Sequence, residues 1–142
     1  MGSKIHPNRA AYEFYPTPPE ATRALLSVEA FDGSIWEPAC GEGHIAHVLQ
    51  AAGLRVVATD LNDRGFGTVG VDFLMQSAMR AKHIVTNPPY VSAAAVAAFP
   101  AEYRAEPVIA HAGGPDGLDI VRRILAKAPA RLSPDGVLVM EI

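Results

Sequence analysis

An open α/β fold with a mostly parallel sheet is predicted by three features of this sequence. Strand-like and helix-like segments alternate along the chain. A turn containing Gly41 and Gly43 lies between a strand-like and a helix-like run. The chemically unusual side chains Glu37, Asp60, Asp72 and Asn87 all fall at the ends of strand-like runs, where open parallel sheets bind ligands.

The elements follow in order. Thr17-Pro18-Pro19-Glu20 reads as a helix start, with Thr17 as cap, Pro18 in the first helical position and Glu20 closing a capping box. The helix continues through Ala24, Leu25 and Leu26. Ser34–Glu37 is a short strand stopped by Pro38. After the glycine turn, Ile45, Val48, Leu49 and Ala52 recur at helical spacing, and Gly53 ends that helix. Arg55–Thr59 is a valine-rich strand leading to Asp60. Thr68–Leu74 is a weaker strand candidate carrying Asp72. His83–Thr86 is a short apolar strand leading into Asn87-Pro88-Pro89-Tyr90. The segment from Tyr90 to Pro100 is rich in alanine. The 113–117 segment is a turn, and Leu118, Val121, Ile124, Leu125 and Ala128 then fit an amphipathic helix. Pro134-Asp135-Gly136 is a further turn, and Val137–Ile142 is a fifth and last strand. Right-handed crossovers would join these strands.

Length and composition narrow the function classes. The 142 residues suit one domain, 49% are hydrophobic and 19% charged, so the chain is globular. A formal net charge of -3 presents no broad basic field for nucleic acid. Cys40 is the single cysteine, which excludes an intramolecular disulfide and a thiolate metal cluster, and no metal ligand is assigned. A reducing, cytoplasmic setting follows. The N-terminus lacks an apolar signal core and no run is long enough to span a bilayer, so no membrane partner is expected.

The motifs carry the chemistry. Residues 41–46 match G-x-G-x-x-A between a strand and a helix, where glycine lets the backbone turn sharply and a ligand approach closely. Asp60, at the next strand end, is placed to accept hydrogen bonds from ribose hydroxyls. These two features do not separate a nicotinamide cofactor from S-adenosylmethionine, so an NAD-dependent oxidoreductase stays open on them alone. Asn87–Tyr90 separates the two. Two prolines make a stiff turn lacking two backbone donors. The Pro88 carbonyl and the Asn87 side-chain oxygen are acceptors for a planar NH2 group, and Tyr90 offers a face for stacking. His44, His47, Arg122, Arg123, His111 and Asp116 read as solvated, packed or turn residues. Trp36 and Cys40 read as core.

Together these motifs resemble the NPPY group of class I S-adenosylmethionine-dependent methyltransferases, which act on adenine amino groups or glutamine side-chain amides. The runs YPTPP at 15–19 and WEPACGEG at 36–43 are similar to adenine-type, phage-like enzymes. The runs PAEYRAEP at 100–107, GGPDGLDIVRRIL at 113–125 and GVLVMEI at 136–142 are similar to the glutamine methyltransferases of release factors and of ribosomal protein L3. The seam lies near Asn87–Tyr90, so a recombined or engineered chimera is one expectation.

The resemblance implies a Rossmann-like class I methyltransferase sheet that stops after the fifth strand, leaving an edge through which a dimer could form. It implies one methyltransferase domain over 1–142, with an N-terminal arm at 1–16, a donor-binding half at 17–90 and an acceptor-side half at 91–142. S-adenosyl-L-methionine is the implied cofactor. Thr17 would lie near its methionine carboxylate, and Glu37, Ala39, Gly41 and Gly43 would line its methionine and ribose portion. Asp60 would bind the ribose hydroxyls, and Asp72 with the Phe73 backbone would meet its adenine edge. Asn87, Pro88, Pro89 and Tyr90 would hold the target nitrogen. The implied partner is a protein glutamine, of release-factor or ribosomal-protein type, with an N6-adenine target in DNA or RNA as the alternative. The segment after Tyr90 inclines the reading to glutamine. An inactive donor-binding fragment is a third reading.

Overall fold

The computed structural model describes residues 16–76, 80–88 and 115–142. The element order is α1 (Pro19–Val28), β1 (Ser34–Glu37), α2 (His44–Ala51), β2 (Arg55–Ala58), β3 (Ala81–Thr86), α3 (Asp119–Lys127), a 3-10 turn (Ala128–Arg131) and β4 (Leu132–Met140). The chain divides into two compact units, 16–88 with 122–142, and 1–15 with 89–121. The first unit holds the four strands of the described residues. Of the second unit only 115–121 are described, comprising a turn in which Asp116 Oδ1 accepts the Leu118 N–H at 3.0 Å and the start of α3.

The four strands run parallel in the order β2-β1-β3-β4. From β1 the chain goes first to one side, to β2, and then to the other, to β3 and β4. The strand order therefore reverses between β1 and β3, and the crevice beyond their carboxyl ends is where such sheets hold ligands. Glu37 ends β1 and Asn87 follows β3, so these two residues flank that crevice.

Alternation along the strands builds the core. Ile35 and Val85 join Ile45 and Leu49 of α2, with Leu25 and Leu26 of α1 packed against them. Trp36 and Ile84, one residue along, face the other way and are also buried, as expected for parallel strands covered on both faces. Full burial of side chains such as Ile35, Leu49 and Ile84 contributes roughly 1.5–3 kcal/mol each.

Four expectations need correction. Thr17 does not cap α1: Pro18 occupies the cap position, no side chain bonds the helix end, and Glu20 instead lies 3.8 Å from Arg23 one turn on. Thr68–Leu74 is not a strand; it forms a single bridge, Thr59 to Thr68, because Gly70 takes a positive φ and Asp72 turns the chain. The sheet among the described residues therefore has four strands rather than five. The Pro134-Asp135-Gly136 turn lies inside β4 as a bulge. From Ala81↔Leu132 to His83↔Val137, two steps along β3 match five along β4, with Asp135 at φ 62° absorbing the excess. Gly136 is required there, since a Cβ would stand 2.6 Å from the Lys82 carbonyl oxygen. Finally, Val121, Ile124 and Ala128 are buried as expected, but Leu118 and Leu125 are exposed.

Among the described residues no helix is long and apolar enough to cross a membrane, and no three His, Cys, Asp or Glu side chains gather as metal ligands.

Candidate functional site

The glycine turn is laced to the end of β2. Gly43 takes φ 89° at the start of α2, its N–H donates to the Cys40 carbonyl at 2.8 Å, and its own carbonyl accepts the His47 N–H. The Cys40 N–H donates to the Thr59 carbonyl at 2.9 Å. Asp60 completes the lacing. Its Oδ2 accepts the Gly41 N–H at 2.9 Å and its Oδ1 accepts the Asn62 N–H at 2.8 Å. Only 8% exposed, Asp60 is thus a fastener of the turn, and each oxygen keeps one lone pair for a further donor.

Chain after Asp60 folds back over this turn. The Asp60 N–H donates to the Thr68 carbonyl, and the Thr68 N–H to the Ala58 carbonyl. Between them Phe66 lies against Gly43, where a Cβ would stand 2.8 Å from its ring, and edge-on to His47 at 4.7 Å. The room left by the Gly43 hydrogen is therefore occupied by Phe66. Phe66 was not legible as a site neighbour; its position between Gly65 and Gly67, both at positive φ, is the signal that marks a tight excursion.

Glu37 is the most unusual residue of the site. The residue is 1% exposed, and its Oε2 is buried without a hydrogen-bond partner among the described residues. Burial pushes its pKa up to about 8; a hydrogen bond from the Ala46 backbone, in the first turn of α2, opposes the rise, and the Asp60 charge adds to it. An unsatisfied buried acceptor costs about 1–3 kcal/mol. A cationic donor reaching Oε2 removes that cost, so the residue fits the ammonium end of an amino-acid ligand such as S-adenosylmethionine. Cys40 has the opposite character. Burial and then the Glu37 and Asp60 charges raise its thiol to about 11, so it stays protonated and serves as packing.

Asp72 and Phe73 form a separate group. Asp72 Oδ1 accepts the Leu74 N–H at 2.9 Å, which turns the chain. Phe73 is buried against Trp36, with ring centroids 5.1 Å apart, and Trp36 Nε1 donates to Thr59 Oγ1 at 2.8 Å. The Phe73 carbonyl accepts from Arg131, a contact with no motif to announce it.

On the β3 side, Asn87 Nδ2 donates to Thr17 Oγ1 at 3.1 Å across 70 residues of sequence. With its nitrogen held by Thr17, the other end of the Asn87 amide is its oxygen, a hydrogen-bond acceptor. Thr17 and Pro88 are buried and Ala39 is exposed. Pro89 and Tyr90 lie outside the described residues, as do the 100–107 segment and His111. The structure thus joins Thr17 to Asn87 and Gly41 to Asp60, and brings the Glu37 charge under the influence of Asp60.

No family model matches the chain. A ribosomal protein uL3 glutamine methyltransferase of Bordetella pertussis is 51% identical over 94 residues, covering 66% of this chain and 32% of the relative. A release factor glutamine methyltransferase of Moorella thermoacetica is 36% identical over 126 residues, covering 72% and 44%. The chain thus spans less than half the length of these relatives. Among solved structures, the glycopeptide N-methyltransferase MtfA superposes with a TM-score of 0.55 at 15% identity, covering 91% of this chain and 55% of that one. Its complex with S-adenosyl-L-methionine gives 0.54 at 14% identity, covering 87% and 49%. The homologues are glutamine methyltransferases, and the fold is the Rossmann-like fold of class I methyltransferases.

Proposed function

We propose that this chain is part of an S-adenosylmethionine-dependent N-methyltransferase whose target is a glutamine side-chain amide of a protein, of ribosomal-protein or release-factor type. The observation that carries the reading is the pair flanking the β1–β3 crevice: a buried Glu37 carboxyl whose Oε2 has no partner among the described residues, and an Asn87 amide whose nitrogen is held by Thr17. Homologues that act on uL3 and on release factor support the glutamine target.

S-adenosylmethionine supplies an electrophilic methyl group on a positively charged sulfur. Glu37 would hold its ammonium group, with Thr17, Ala39, Gly41 and Gly43 beside the amino-acid and ribose portion. The remaining lone pairs of Asp60 would take ribose hydroxyls, and Asp72 with the Phe73 backbone would take the adenine edge. Asn87 Oδ1 and the Pro88 carbonyl would accept the two hydrogens of the target NH2, with Pro89 stiffening the turn and Tyr90 stacking on the amide.

An amide nitrogen is a weak nucleophile, since its lone pair is delocalised. Two acceptors on its hydrogens raise its electron density and stabilise the charge that develops on nitrogen. Holding the target in line supplies much of the remainder, since effective molarities can be worth on the order of 7–11 kcal/mol. The released proton passes to water through Asn87 and the Pro88 carbonyl, and no strong base is needed. Donor binding through 17–90 and acceptor binding through 91–142, within one domain, is the matching division of labour. A substrate of the protein-synthesis machinery is consistent with a cytoplasmic reaction.

The test is twofold. Titration calorimetry with S-adenosylmethionine and with NAD should show binding of the first alone. Tritiated donor offered to uL3, release factor, DNA and RNA should label a protein glutamine. Label in nucleic acid only, or binding of NAD in place of S-adenosylmethionine, would overturn the reading.

A further inference from the structure

Arg131, at the junction of the 3-10 turn and β4, is a buried cation with an unusual set of partners. It is 4% exposed. Its Nε donates to the Phe73 carbonyl at 2.8 Å, its Nη2 to the Leu74 carbonyl at 3.1 Å, and its Nη1 to the Lys127 carbonyl at 3.0 Å. The guanidinium carbon lies 5.2 Å from the centroid of the Phe73 ring, the ring that also meets Trp36. One rigid planar group therefore grips two successive carbonyls of the turn, lies over the Phe73 ring, and ties the turn to the end of α3.

Burying a guanidinium costs several kcal/mol unless its donors are satisfied, and an apolar side chain of similar volume would fill the space at lower cost. What an apolar side chain cannot supply is the fork. Its two arms set the peptide planes after Phe73 and Leu74. The turn they act on begins with Asp72, whose carboxylate accepts the Leu74 N–H and whose carbonyl accepts the Met75 and Gln76 N–H groups at 3.1 and 2.8 Å. With the carbonyls of 73 and 74 clamped, the Asp72 carboxylate and the Phe73 N–H keep one direction.

We propose that Arg131 is a positioning residue that clamps the Asp72–Leu74 turn, and that this clamp sets the selectivity of the chain for a 6-aminopurine on its donor. The inference rests on the donor assignment above. A 6-amino group donates a hydrogen bond to a carboxylate, and the adjacent ring nitrogen accepts from a backbone N–H. A 6-oxopurine reverses both roles, so it is rejected only while the turn is held still.

The test uses the full chain and its Arg131→Lys and Arg131→Met variants. Calorimetry measures affinity for S-adenosyl-L-homocysteine and for S-inosyl-L-homocysteine, and thermal melting monitors the fold. The wild type should prefer the adenosyl ligand by roughly tenfold to a hundredfold, as for one hydrogen bond to a charged group. In Arg131→Met that preference should fall toward equal binding. Arg131→Lys, which offers a point charge without a fork, should fall between. If Arg131→Met does not fold, the lysine variant decides. A folded variant that loses affinity for both ligands in equal proportion, or for neither, would overturn the clamp while leaving the donor assignment intact. Wild-type chain that binds neither ligand would overturn both.

Discussion

Replacing Glu37 by glutamine tests both the electrostatics of the site and its proposed ligand. The buried carboxyl keeps its proton to about pH 8, whereas in the unfolded chain it ionises near its ordinary value of 4.5. Between these values the unfolded state has lost the proton and the folded state retains it. Folding is then linked to proton uptake, and stability falls as pH rises, by at most about 1.4 kcal/mol per pH unit. Across the whole window the ceiling is on the order of 5 kcal/mol. Below pH 4.5 both states are protonated and the effect vanishes; above 8 both are ionised and the loss is complete. In Glu37→Gln this group no longer titrates. Urea denaturation from pH 4.5 to 9, without ligand, should show the variant gaining on the wild type as pH rises.

The same residue links donor binding to protons. An ammonium group at Oε2 favours the ionised carboxyl, so the wild type at pH 7 should release a proton on binding S-adenosylmethionine. Calorimetry in buffers of different ionisation enthalpy reads that proton directly. Glu37→Gln should release none and bind more weakly by roughly tenfold or more. Wild-type and variant stabilities that run parallel across the whole pH range would refute the raised pKa. Proton release unchanged in the variant would remove Glu37 from the ammonium site.

Other expectations follow from the remaining contacts. Asp60→Asn should lower both folding stability, by about 1–3 kcal/mol, and donor affinity, because the carboxylate accepts the Gly41 and Asn62 N–H groups as well as serving the proposed ribose contact; a loss of donor affinity at unchanged urea stability would deny the fastening role. Gly43→Ala should destabilise by at least about 1–2 kcal/mol from its left-handed backbone, with a further steric loss that Phe66→Ala relieves; additive single and double variants in denaturation would argue against the Phe66 contact. Asn87→Ala should leave S-adenosylmethionine affinity nearly unchanged while reducing turnover by roughly a hundredfold, with Asn87→Asp intermediate. Thr17→Val removes the acceptor that orients the Asn87 amide and should also slow turnover, whereas single-turnover rates equal to wild type would show that the 3.1 Å bond has no part in presenting the target.

Much of the fold was legible because parallel strands and amphipathic helices are local patterns. Ser34–Glu37 matches β1 residue for residue, and α2 ends before Gly53 as its spacing required. The placing of Glu37, Asp60 and Asn87 at or just beyond strand ends was equally legible, since it needs only the strand boundaries, whereas Asp72 lies in a turn and not at a strand end. Thr17 defeated the local reading. A threonine before two prolines and a glutamate has the composition of a cap, but its hydroxyl is taken by Asn87, a partner that no local window contains. The 68–74 segment failed for a related reason. Its residues alternate like a strand, yet the turn at Asp72 is clamped from Arg131, 58 residues away from Phe73, and only Thr68 reaches a neighbouring strand.

The sequence by itself determined the alternation of most elements, the glycine turn and the placing of Glu37, Asp60 and Asn87 at or just beyond strand ends, because each depends on neighbours within a few residues. Only the tertiary structure decided what those groups face. It left Glu37 Oε2 without a partner among the described residues, engaged both oxygens of Asp60 with backbone N–H groups and filled the space at Gly43 with Phe66. Burial and long-range hydrogen bonding set these outcomes, and both depend on which distant residues the sheet order β2-β1-β3-β4 brings side by side.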